Sequence, residues 1–272
     1  MHLSDQEFKL ISELMHDKFG INLSEQKRSL VVERLQKVMR SGDFKNFRDY
    51  YDYVINEPSG QALSDMVDRI STNYTYFFRE KDHFDFLVST ALPQLIARAK
   101  SQNRPGLKIW CAGCSSGEEP YTLAIILSEF LGAEISQMDV GILATDISET
   151  ALQKAKNAIY TDAQLSQVPV SYRQRYFAAV DNNNWTVKPI LKKLVLLRRL
   201  NLMRPEFPFK GKFDIIFCRN VIIYFDLPTQ QGLIERFHRY LQPGGYLFTG
   251  HSESIDRSRA LYKYIKPAVY QK

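Results

Sequence analysis

The segment from Leu107 to Leu127, LKIWCAGCSSGEEPYTLAIIL, constrains this chain more than any other. A short apolar run (Leu107, Ile109, Trp110, Cys111, Ala112) ends in the small residues Gly113, Ser115, Ser116 and Gly117, and an apolar helical pattern resumes at Tyr121. Strand, tight glycine turn and helix in that order bring backbone close to a ligand at the carboxyl end of a central parallel strand, where open α/β sheets place their binding crevice. The expected core is therefore α/β, with its crevice at Gly113.

The spacing narrows the ligand. Gly113-x-x-x-Gly117 is not the dinucleotide pattern G-x-G-x-x-G, and no Lys-Ser/Thr pair follows to make a phosphate loop. Glu118 and Glu119 open the helix, which suits its positive end but repels a pyrophosphate lodged there. A cationic ligand fits better, and S-adenosylmethionine carries both an ammonium and a sulfonium. On these residues alone, a dinucleotide or a turn whose acids serve only the helix dipole stays open. A second buried-strand run, MDVGILATDI (138–147), ends at Asp146, which is placed either to accept hydrogen bonds from ribose hydroxyls or to start the next turn. Val195 to Met203 reads as a further strand with Asn201 at its end, and FDIIFC (213–218) leads into Arg219, Asn220 and Tyr224. Polar groups thus gather at one rim of the sheet.

Residues 1 to 72 read as a separate helical domain. Ser4 and Glu7 make a capping box ahead of Phe8, Ile11, Leu14 and Met15, and Gly20 closes that helix. A second helix is expected from about Ser24 to Met39, with Lys27, Arg34, Lys37 and Arg40 on a face beside its apolar one. This basic face is either solvated or a docking surface for an acidic helix or a phosphate backbone. The net charge of +6 agrees with an acidic partner. An aromatic connector, Asn73 to Arg79, has Asn73, Thr75 and Arg79 as its polar members, and a turn containing Arg104 and Pro105 precedes the central strand. Within the second domain (73–272), two strand-like runs around Asp181-Asn-Asn-Asn184 indicate a hairpin inserted at about 172–197.

Three cysteines, an odd number, argue against a disulfide framework. Cys111-x-x-Cys114 has no second pair to complete a zinc site, so no metal is expected. Met1 to Gly20 has no secretory apolar region, and no apolar run reaches the ~18 residues that cross a bilayer, so a cytoplasmic location is expected.

Six blocks in order carry a family resemblance: TNYTYFFRE (72–80), GEEPY (117–121), ATDIS (144–148), Asn201-Leu202, FCRNVIIYF (217–225) and GHSE (250–253). With them the chain resembles the CheR-type chemotaxis receptor methyltransferases over nearly its whole length. The resemblance implies a seven-stranded class I methyltransferase sheet behind an all-α N-terminal domain. It implies transfer of a methyl group from S-adenosylmethionine to glutamate side chains of methyl-accepting chemotaxis receptors, with S-adenosylhomocysteine as the other product. By position, Asn73, Thr75, Arg79, Glu119, Asp146, Asn201, Leu202, Arg219 and Asn220 are the implied cofactor contacts, to which the glycine turn adds Gly113 and Glu118, and Tyr224 lies beside the transferred methyl. Arg79 and Tyr224 are the candidate catalytic residues, and Lys27, Arg34, Lys37 and Arg40 the candidate substrate-docking set. The expected partners are the cytoplasmic regions of those receptors, met by a monomer recruited to membrane-bound arrays without inserting in the bilayer. Nucleic acid is not expected, because Asn220 to Tyr224 lacks the polar Pro-Pro-aromatic arrangement that suits a flipped base. Some family members tether a receptor's C-terminal pentapeptide through a glycine-bearing hairpin loop. Here that loop is Val180-Asp-Asn-Asn-Asn-Trp185, without glycine, so no tether is expected.

Overall fold

Alternation along the central strand sends its side chains into two different cores. The computed structural model describes residues 2–103, 106–256 and 260–272, so Arg104 and Pro105 of the expected turn lie outside the described residues. From β1 (Gly106–Ala112), Leu107, Ile109 and Cys111 enter one core, while Trp110 and Ala112 enter the other. Trp110 is fully buried edge-on against Phe207 and Phe237, and its Nε1 donates to Thr145 Oγ1 at 2.9 Å. An indole buried this deeply needs such a partner.

Seven strands form the main sheet in the order β6-β2-β1-β7-β8-β10-β9. β2 is Asp139–Asp146, β6 Val195–Arg199, β7 Phe213–Cys218, β8 Leu241–Thr249, β9 Lys263–Lys266 and β10 Val269–Gln271. The first five in that order run parallel; β10 and then β9 close the edge antiparallel. Register positions the site. Ala112 pairs with Thr145, Cys111 with Phe217 and Asp146 with Arg199, so Gly113, Asp146, Arg219 and the segment leading to Asn201 emerge together at one rim. β6 stops at Arg199, short of the expected Met203, and Asn201 sits in the loop beyond it.

The helices are α1 (Asp5–Phe19), α2 (Arg28–Ser41), α3 (Phe47–Asn56), α4 (Gln61–Ile70), α5 (Lys81–Phe86), α6 (Leu92–Ser101), α7 (Glu118–Leu131), α8 (Glu149–Asn157), α9 (Val170–Tyr176), α10 (Pro189–Lys192) and α11 (Leu227–Tyr240). Among the described residues, no helix is long and apolar enough to cross a membrane. Helices α1–α4 bury a core of their own, including Ile11, Met15, Val31, Leu35, Phe47 and Met66. The capping box at Ser4 and the left-handed Gly20 bound α1 as expected. The second helix differs at its start. Ser24 makes no side-chain cap, and Lys27 N–H bonds the Ser24 carbonyl at 2.8 Å in a 3-10 turn, Glu25–Lys27, before α2 begins. Lys27 therefore leaves the basic face on which Arg34, Lys37 and Arg40 stay exposed.

The expected hairpin is a three-stranded antiparallel sheet in the order β3-β5-β4. β4 (Phe177–Ala179) and β5 (Asn184–Val187) make the hairpin, and Asp181 closes its turn by accepting from the Asn183 and Asn184 N–H groups, both at 2.9 Å. The third strand, β3 (Ile159–Thr161), follows α8 and is too short to show a period in sequence.

The helical domain is fastened over the sheet's carboxyl rim. Asp68 of α4 accepts from Glu149 N–H at 3.0 Å and Thr150 N–H at 2.9 Å, capping α8 from across the domain boundary. Asn201 Nδ2 donates to the Lys18 carbonyl at 2.7 Å, and Ile21 pairs with Phe225 as an isolated antiparallel bridge. His16 Nε2 meets Asp226 Oδ2 at 3.0 Å, and this hydrogen bond raises the His16 pKa above its ordinary 6.5. The folded state thus holds that proton more tightly than the unfolded chain. Its stabilisation is fully present below the ordinary value and vanishes as pH rises through the raised one. His16→Gln should therefore lower the melting temperature at about pH 6 and leave it nearly unchanged at about pH 8.5. Thermal melts of both proteins across that range check this, and an equal gap at both ends contradicts it.

Candidate functional site

The site grows from the turn after β1. Gly113 has φ +86°, and a Cβ there would stand 2.3 Å from Val221 Cγ2, so both conformation and space require glycine. The N–H groups of Gly113 and Cys114 converge on the Thr145 carbonyl at 2.8 and 2.9 Å, which pins the turn to the end of β2. Asp146 is then held from both sides. Ser115 N–H donates to Oδ2 at 2.7 Å and Ser148 N–H to Oδ1 at 2.9 Å. Burial raises the Asp146 pKa, and these backbone bonds oppose the rise.

Arg219 follows β7, and its side chain is 1% exposed. Its guanidinium bonds Glu119 Oε2 at 2.8 Å and Glu80 Oε2 at 3.0 Å, and it also donates to the Arg79 carbonyl. Glu119 Oε1 in turn accepts from the Cys111 thiol at 3.0 Å. Asn220 takes a left-handed φ of 58°, and its Nδ2 reaches Glu80 Oε1 at 3.3 Å. Glu253, buried in the last loop before β9, accepts from the N–H groups of Asn220, Ile223 and Gly250 at 2.9, 3.1 and 2.6 Å. That carboxylate shapes the loop carrying Tyr224, whose hydroxyl lies 3.5 Å from the Thr72 carbonyl.

Together these groups wall a cleft of about 320 Å³ between the domains. Asn73, Thr75, Arg79, Gly113, Glu119, Asp146, Asn201, Leu202, Arg219, Asn220 and Tyr224 all line it. Glu118 does not. Adjacent helix residues point about 100° apart, so Glu118 turns under the turn instead, bonding Ser116 Oγ at 2.7 Å and Gln164 at 3.5 Å. It borders a neighbouring groove with Ala163 and Gln164. Arg34, Lys37 and Arg40 also lie outside the cleft, whereas Lys27 lines it. Glu80 and Glu253 are the organising groups that sequence reasoning missed. Each ended a quoted block, TNYTYFFRE and GHSE, Glu80 between Arg79 and Lys81 and Glu253 between two serines.

The cleft suits S-adenosylmethionine. Oriented carboxylates at Asp146 and Glu119, the Arg79 cation and the apolar Ile147, Leu200 and Leu202 match a ligand with a ribose diol, an ammonium, a carboxylate and a flat purine. Residues 73–270 match the family model described as the SAM binding domain of CheR methyltransferase, and residues 6–71 match the CheR methyltransferase all-alpha domain. The chain belongs to the CheR methyltransferase family. A chemotaxis protein methyltransferase of Borreliella burgdorferi is 42% identical over 272 residues, covering 100% of this chain and 96% of that one. A chemotaxis protein methyltransferase 2 of Pseudomonas aeruginosa is 37% identical, covering 99% of this chain and 94% of its own length. The chemotaxis protein methyltransferase of Escherichia coli is 35% identical, covering 98% and 91%. This CheR-family protein is thus an S-adenosylmethionine-dependent methyltransferase, with the boundary between its two family domains at residues 71 to 73.

The Arg219 node gives a direct test. Arg219→Met leaves the Glu80 and Glu119 carboxylates without their buried counter-charge, a change that costs roughly 3–5 kcal/mol where one partner of a buried pair is removed. Urea denaturation should show a loss of that size together with weakened binding of S-adenosylhomocysteine; unchanged stability contradicts the assigned role.

Proposed function

We propose that this CheR-family methyltransferase esterifies glutamate side chains on the cytoplasmic helices of methyl-accepting chemoreceptors. The observation carrying this reading is the make-up of the cleft. Its wall includes the cations Lys27 and Arg79 and the phenol of Tyr224, contributed by both domains. Such groups suit an anionic acceptor. A glutamate side chain has a reference pKa of about 4.3, so the acceptor is already ionised at neutral pH and needs no general base.

When bound, S-adenosylmethionine supplies a methyl group on a positively charged sulfur. The chain's own residues then have to align and desolvate an anion facing it, which for well-oriented reactants is worth up to about 7–11 kcal/mol. Tyr224 and Arg79 are the proposed orienting groups, Arg79 through its guanidinium fork. In the structure Arg79 lies over the Tyr74 and Tyr76 rings and donates to the Tyr74 carbonyl at 2.9 Å, which steadies it at the cleft wall. Arg34, Lys37 and Arg40, exposed on α2, are the proposed docking face for an acidic receptor bundle. The names of the chemotaxis methyltransferase relatives support this choice of pathway. A pentapeptide tether forms no part of the proposal, because the Asp181-centred turn carries no glycine.

Incubation with methyl-labelled S-adenosylmethionine and receptor-bearing membranes should place base-labile label on receptors, as glutamate methyl esters require. Alkali-stable label, or label in RNA, contradicts the reading. Initial rates should also fall as ionic strength rises, because exposed charge pairs are screened over about 8 Å at physiological salt. A salt-independent rate removes α2 from the docking surface.

A further inference from the structure

Two carboxylates have to be held in this cleft if the acceptor is a glutamate: one on the methyl donor and one on the substrate. Two of the cations lining it, Lys27 and Arg79, have no carboxylate partner among the described residues, whereas Arg219 is fully engaged by Glu80 and Glu119. Arg79, proposed above to orient the acceptor, also belongs to the connector motif implied for the cofactor and can reach the donor's carboxylate as well. Lys27 belongs to the helical domain, the side from which a receptor approaches, and to none of the cofactor blocks.

The setting of Lys27 is built rather than incidental. Its Nζ donates to the Asn22 carbonyl at 2.9 Å and stands 5.6 Å from the centroid of the Tyr224 ring, within range of a cation–π contact. Asn22 N–H donates to the Tyr224 carbonyl at 2.8 Å, and the neighbouring Ile21 pairs with Phe225. Ammonium and phenol are therefore fixed to one another across the domain boundary. The next basic residue, Arg28, behaves differently, being paired with Asp5 at 2.9 Å and Glu25 at 2.8 Å. An ammonium has three donors, and one is used here, so two remain for a ligand. Leu23 and Leu30 flank Lys27 in the cleft wall, and burial lowers its pKa below the usual lysine value.

We propose that Lys27 Nζ binds the acceptor glutamate's carboxylate beside Tyr224, making Lys27 a substrate-contacting catalytic residue rather than a member of the docking face. This rests on the glutamate reading above. Lys27 keeps all its protons, and the acceptor, already ionised, gives none up. Because methylation removes the charge that Lys27 binds, the contact strengthens acceptor binding more than turnover, and the neutral ester leaves without the ion pair. An all-donor group also discriminates a glutamate from the isosteric glutamine.

The test uses the full-length protein loaded with S-adenosylhomocysteine and the cytoplasmic fragment of a chemoreceptor with either glutamate or glutamine at the acceptor position. Wild type should bind the glutamate form about tenfold tighter, the scale of a charge-assisted hydrogen bond. Lys27→Met should erase that preference while leaving S-adenosylhomocysteine affinity and melting temperature unchanged. The double variant Arg34→Ala with Lys37→Ala should weaken both forms equally and keep the preference. In turnover, Lys27→Met should raise KM for the receptor with kcat little altered. A preference that survives in Lys27→Met, or that the docking-face variant also abolishes, overturns the assignment. If wild type leaves no methyl ester on the glutamate form, the glutamate reading itself fails, a result distinct from a preference that survives Lys27→Met.

Discussion

The cleft depends on one buried cation. Arg219 lies beneath the rim of the sheet, where an isolated charge is strongly unfavourable, and it is tolerated because two carboxylates and a backbone carbonyl meet it there. Arg219 and its partners come from three separate stretches of chain: Glu119 from the start of α7, Glu80 and the Arg79 carbonyl from the connector, and Arg219 itself from the end of β7. A lysine offers no fork to reach them together. The connector between the domains is thereby bolted to the sheet at the place where Asn73, Thr75 and Arg79 enter the cleft. Such a buried pair is weak as a source of net stability and effective as a device for fixing geometry.

The second requirement is that the helical domain closes the cleft without sealing it. Polar contacts join the two bodies at named points: Asp68 on the α8 N-terminus, Asn201 on the Lys18 carbonyl near the end of α1, and the Ile21–Phe225 bridge. Asn201 is thus both a cleft residue and a domain clasp. For the proposed glutamate acceptor, whose carboxylate is already ionised, alignment of reactants is the main demand placed on the enzyme. Contacts at several points between the helical domain and the sheet domain suit that demand.

Much of this arrangement was legible in sequence, for a physical reason. Buried parallel strands read as apolar runs, and a parallel sheet gathers the residues that end them, so Gly113, Asp146, Asn201 and Arg219 could be grouped before any register was known. What stayed hidden was decided by tertiary contacts. Glu118 and Glu119 are indistinguishable in composition, yet one helix step separates a cleft residue from one under the turn. Lys27 fits the α2 stripe until it falls in the 3-10 turn Glu25–Lys27, ahead of α2, and lines the cleft with Tyr224. Glu80 and Glu253 act through hydrogen bonds to distant backbone and side chains, which no period in the sequence records. β3 is three residues long and finds its partner β5 some twenty-five residues on.

A single pocket at the sheet's rim is proposed to serve both the methyl donor and the acceptor. A crystal structure of the protein grown with S-adenosylhomocysteine tests this most directly. The product is expected in the cleft between the domains, its ribose on the Asp146 carboxylate and its sulfur facing Tyr224. Product bound elsewhere, or a ribose held away from Asp146, would contradict it.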